Sequence, residues 1–143
     1  MTGIGSELDV LQTFASLAGA AAPSDRILDG YDLSPALRGT APSPRDVMFY
    51  YANTGEGVLS AVRRGAYKAH FVLPQSGGMP APVPALTAPL LYDLDRDPSE
   101  QFDLAKAHPE ILAELQRLMD AHQKTVAPVK NQIATRPARS PQP

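Results

Sequence analysis

Apolar residues recur along this chain at two different periods, and the changes of period mark its elements. Between Ser6 and Gly19, the residues Leu8, Leu11, Phe14, Ala15, Leu17 and Ala18 follow the spacing of one helix face. Ser6 stands where an N-cap belongs, Asp9 places an acid in the first turn, and Gly19 suits a C-cap. The pattern predicts an amphipathic helix over 7–18. A second stripe, Ile111, Leu112, Leu115, Leu118, Met119 and His122, leaves Glu110, Glu114, Gln116, Arg117 and Lys124 mostly outside it. Pro109 fits the first turn with His108 before it, so this helix is expected over 109–125, ending ahead of Pro128.

Between the helices the period falls to two. Val47, Phe49 and Tyr51 alternate with Met48 and Tyr50, and both sets are apolar or aromatic, so this strand is expected to be covered on both faces. Residues 58–63 form a second run, and Arg64-Gly65 turns the chain into a third, 66–73. There Tyr67, Ala69, Phe71 and Leu73 share one face, while Lys68, His70 and Val72 share the other. A fourth strand, 89–95, sets Leu90, Tyr92 and Leu94 on one face, with Leu91 the buried exception on the other. Asp97-Pro98 stops it, because proline fixes φ and lacks an N–H for the ladder. Asp95 and Asp97 are read as holding that turn by bonding nearby backbone N–H groups rather than a cation, and Phe102 and Leu104 as pinning the outgoing segment to the core. A short helix is expected over 34–38, capped by Asp32 or Ser34 and ended by Gly39. Hairpin-like links predict an antiparallel sheet, and the fold class is α+β: four strands, a packed C-terminal helix and one amphipathic helix ahead of them.

Composition narrows the possibilities. With 143 residues the chain allows one modest core, and a net charge of −2 gives no electrostatic case for nucleic acid. No apolar run approaches the roughly 20 residues that span a bilayer, and the first residues lack the basic and apolar regions of a signal peptide. With no cysteine, disulfides, thiolate metal sites and a cysteine nucleophile are excluded. Of the 15 prolines, clusters at 74–89 and 128–143 predict a long loop and a disordered tail.

Five stretches carry a family resemblance, in order: Leu8-Asp9-Val10-Leu11-Gln12-Thr13-Phe14-Ala15-Ser16-Leu17-Ala18-Gly19; Leu28-Asp29-Gly30-Tyr31-Asp32-Leu33-Ser34-Pro35-Ala36-Leu37-Arg38-Gly39; Phe49-Tyr50-Tyr51; Ala61 to Phe71; and Pro89 to Leu104. Together they resemble the C-terminal part of the sulfatases, of the arylsulfatase type. Asp103 departs from the pattern, which usually has Asn there. The resemblance implies that 1–45 is left from an alkaline-phosphatase-like core, that 46–127 is the small C-terminal subdomain, and that the partner is the catalytic domain. It also implies calcium and a formylglycine made from a Cys/Ser-x-Pro-x-Arg motif in the complete enzyme, and export of that enzyme. No such motif occurs in this sequence, since Ser43-Pro44-Arg45 lacks the spacing. The chain is therefore expected to be inactive alone, with no catalytic or metal-binding residue of its own, and a homo-oligomer contact is left open.

Individual residues add little chemistry. His70, His108 and His122 have no ligand spacing, and Ser34, Ser60 and Ser76 sit in no nucleophile elbow. Lys68 and His70 are the candidate site residues: their strand and the following loop are placed at the rim of the complete enzyme's substrate pocket, against the plainer reading of an interface histidine. The remaining alternative is a free-standing interaction module. The retained apolar set Leu8, Leu11, Phe14 and Leu17 speaks against it.

Overall fold

In the computed structural model, residues 3–52, 57–73 and 85–127 are described. The sheet is a four-stranded meander, β1 (Val47–Tyr51), β2 (Leu59–Arg64), β3 (Tyr67–Val72) and β4 (Ala85–Asp93), with every neighbouring pair antiparallel. The β2–β3 hairpin turns through Gly65, whose φ of +56° is in the left-handed region that glycine enters freely. Strand β4 starts at Ala85, four residues before the predicted start, and carries Pro89 within it. It ends at Asp93 rather than 95, because backbone bonds from Arg96 and Asp97 to the Asp93 carbonyl already curl the chain.

Helix α3 (Pro109–Gln123) lies across one face of the sheet. The cross-strand row Phe49, Val62, Ala69 and Leu91 runs beneath it. Leu59, Val62, Ala69, Leu91 and Leu115 form the buried core, flanked by Ile111, Leu112, Leu118 and Met119 from the predicted stripe. Leu91, read from sequence as an exception, is thus the central core residue of β4. Leu104 packs against this core as expected, whereas Phe102 points into solvent. His122 belongs to the stripe: its ring stacks on Phe49 at 3.7 Å between centroids, and Tyr51 Oη lies 2.6 Å from its Nε2.

The first helix is built in two pieces, a 3₁₀ turn (Glu7–Asp9) and α1 (Val10–Leu17). Ser6 and Asp9 form a reciprocal capping box. The short helix α2 (Ser34–Leu37) packs on α1, and Asp32 accepts the Ser34 N–H at 2.7 Å. Among the described residues no helix is long and apolar enough to cross a membrane. The predicted tail 128–143, and most of the predicted loop 74–88, lie outside the described residues.

Candidate functional site

The sheet face opposite α3 carries two cross-strand rows. One is Tyr50, Ala61, His70 and Leu90; the other is Met48, Arg63, Lys68 and Tyr92. Lys68 and His70, two residues apart on β3, therefore point the same way, as the alternation predicted. What joins them is Glu100, a residue the sequence reading did not single out. Its Oε1 accepts from Lys68 Nζ at 2.7 Å and its Oε2 pairs with His70 Nε2 at 2.8 Å. Lys68 Nζ also sits 4.7 Å from the centroid of the Tyr50 ring, and His70 meets Tyr92 edge-on at 5.9 Å. The His70 side chain is only 5% exposed, while Lys68 and Glu100 keep a small opening to solvent.

The turn after β4 places Glu100. Asp97 accepts from the N–H groups of Gln101 and Phe102 at 2.7 and 2.8 Å, and Asp93 accepts from Asp95 N at 3.1 Å. Asp97 thus does what the sequence predicted, but Asp93 takes the place foreseen for Asp95. Asp103 accepts from Leu91 N and Ala105 N, bonds that need only an oxygen acceptor, which an asparagine also offers. Glu100 itself has φ +54°, a conformation that costs a non-glycine residue about 1–2 kcal/mol.

The electrostatics of the cluster are coupled. Burial lowers the His70 pKa and the Lys68 charge lowers it further, against the opposing pull of Glu100. Burial would raise the Glu100 pKa, but the Lys68 hydrogen bond and charge, with His70, bring it below its ordinary value. An ionised Glu100 leaves Nε2 as the protonated nitrogen of a neutral His70.

A second feature lies on the 3₁₀ turn and α1, where the usual arrangement is inverted. Asp9 and Thr13 are buried, while Leu8, Leu11, Phe14 and Leu17 are each more than half exposed, Phe14 to 65%. The inward face is polar because it holds the connection. Thr13 Oγ1 accepts from Leu33 N at 3.0 Å, and the Asp9 carboxylate accepts from Tyr31 N at 2.9 Å and from the Arg45 guanidinium. An open cleft of about 640 Å³, walled by Leu8, Tyr31, Phe49, Tyr51 and His122 among others, runs between this segment and β1. Lys68 and His70 do not line it.

Residues 43–143 match the family described as the C-terminal region of aryl-sulfatase. The chain belongs to the sulfatase family. It is 45% identical over 131 residues to human arylsulfatase A, covering 80% of this chain and 26% of that protein. Its identity to the dog N-acetylgalactosamine-6-sulfatase is 37% over 152 residues, covering 91% and 28%. The crystal structure of a sulfatase from Pseudoalteromonas sp. superposes with a TM-score of 0.61 at 23% identity, over 80% of this chain and 24% of that one, and shows the shared fold. The chain thus spans about a quarter of the length of these sulfatases. Among the described residues no three His, Asp or Glu side chains converge as a cation-binding group.

Proposed function

We propose that this chain is the C-terminal part of a sulfuric ester hydrolase of the arylsulfatase type, and that it is inactive without a catalytic half. The inverted first helix carries this reading. A helix that buries Asp9 and Thr13 while exposing Leu8, Leu11, Phe14 and Leu17 has its apolar surface turned toward something else. A large domain that packs on this face is the occupant the family supplies. Residues 1–45 would then belong structurally to that domain, and 46–127 to the subdomain that closes it. The nucleophile, a formylglycine, and the calcium ion would come from the catalytic half. Lys68 would stand at the rim of the substrate pocket, with His70 behind it rather than in it.

The test is hydrolysis of p-nitrophenyl sulfate by the purified chain, alone and mixed with a separately expressed catalytic half of a related arylsulfatase. Activity in the mixture only is the expected result. Activity in neither would favour a free-standing interaction module, and activity of the chain alone would overturn the proposal. Phe14→Glu should leave the chain's own stability within about 0.5 kcal/mol, because the side chain is already exposed. The same substitution should abolish complementation, since it puts a charge into the docking face. Undiminished complementation by Phe14→Glu would remove α1 from the interface.

A further inference from the structure

We propose that Glu100 is a positioning residue that couples His70, buried behind it, to Lys68 as the contact for an oxyanion, the sulfate or carboxylate class of ligand. The inference rests on the reading of β3 as part of the pocket rim. Three observations carry it. The first is backbone conformation: position 100 is the one non-glycine residue with positive φ among the described residues, where glycine would be the least strained choice. The second is geometry: its two carboxylate oxygens divide between the two basic groups at 2.7 and 2.8 Å. The third is separation: the turn that delivers Glu100 is 30 residues from His70 in sequence, so the contact is made by the fold and not by local chain geometry.

The arrangement gives the patch two charge states. Lys68 and Glu100 cancel while His70 is neutral; one proton on His70 leaves a single net positive charge beside the exposed edge of Lys68. The other groups facing this pair are Tyr50 from β1, Arg63 from β2 and Tyr92 from β4, and Arg63 already donates to the Gly65 carbonyl. Glu100 favours the protonated imidazole and Lys68 opposes it. An anion that binds the cationic state must, by linkage, raise the proton affinity of His70 by the same factor that protonation raises its own affinity.

The experiment is NMR titration of the His70 ring in the full chain, with Ala69 and Leu91 amide shifts reporting the fold. Glu100→Gln is expected to reduce the proton affinity of His70 at least about threefold, and Lys68→Met to increase it by a similar factor. Glu100→Gly relieves the backbone and removes the carboxylate. If Glu100 were only a turn residue, this variant would keep the His70 titration of the unsubstituted chain, and that result overturns the proposal. Lys68→Met reads the same coupling from the strand, independently of how the turn tolerates substitution; an unchanged His70 titration there also overturns it. Sodium sulfate, compared with sodium chloride at equal ionic strength, should raise the His70 midpoint in the unsubstituted chain, saturably, and leave it unmoved in Lys68→Met. Coupling without a sulfate effect would overturn the oxyanion contact while leaving the docking of α1 standing.

Discussion

Replacing Leu115 with aspartate is expected to unfold the sheet-and-helix unit, lowering stability by more than about 4 kcal/mol. Leu115 is 1% exposed and meets Leu59, Val62, Ala69 and Leu91, the side chains on which three of the four strands converge beneath α3. Truncating such a leucine alone costs about 2–5 kcal/mol through lost burial and the cavity left behind. Aspartate adds a carboxylate with no hydrogen-bond donor among those apolar neighbours, and a charge so placed either stays ionised at high cost or takes up a proton. The sum is comparable to the whole stability of a domain this size. Ala113→Asp, on the exposed side of the same helix, separates burial from helix propensity, and should cost less than about 1 kcal/mol. Thermal unfolding by circular dichroism reads both. An unchanged transition for Leu115→Asp would show that α3 does not close this core.

The α3 stripe and the parity of β3 were legible because one face of each element is buried, and a single buried face leaves its period in the sequence. Strand β4 was harder. Leu90, Leu91 and Tyr92 are all at least half-buried, α3 covering one face and the turn through Glu100 the other, so alternation alone does not say which face holds the core. Its first four residues were missed because the proline cluster that runs up to Pro89 signals a loop, although β4 ends the strand order and leaves one edge outside the ladder. Phe102 was placed in the core on hydrophobicity alone; the two N–H bonds to Asp97 fix the backbone there so that its ring faces solvent. Glu100 and the Asp9–Arg45 pair were invisible for one shared reason. Each is a contact between residues 30 or more positions apart, and nothing in the local pattern of either partner announces the other.

Arg45→Met should release the N-terminal segment while leaving the sheet folded. Arg45 is the clamp of that segment: it pairs with buried Asp9 through two nitrogens, donates to the Asp29 carbonyl at 3.0 Å, and lies 4.8 Å from the centroid of the Tyr31 ring. Burial would raise the Asp9 pKa, yet hydrogen bonds from Arg45, Tyr31 N and Ser6 N, together with the Arg45 charge, hold it below its ordinary value. Removing the guanidinium strands a carboxylate that is 1% exposed, and breaking such a pair from one side costs about 3–5 kcal/mol. At 1.36 kcal/mol per factor of ten, the lower figure corresponds to a loss of more than 100-fold in hydrogen-exchange protection of the α1 amides at pH 7. The pH dependence follows from the sign of the shift. A carboxylate with a lowered folded pKa contributes stability above its unfolded value near about 4, and loses it as pH falls through the folded pKa. In Arg45→Met, burial acts with far less opposition, so protonation relieves the variant rather than harming it. The difference between the two proteins should therefore be largest at neutral pH and shrink below about pH 4. A difference that stays constant down to pH 3 would mean that the guanidinium acts through packing against Tyr31 rather than through the Asp9 charge.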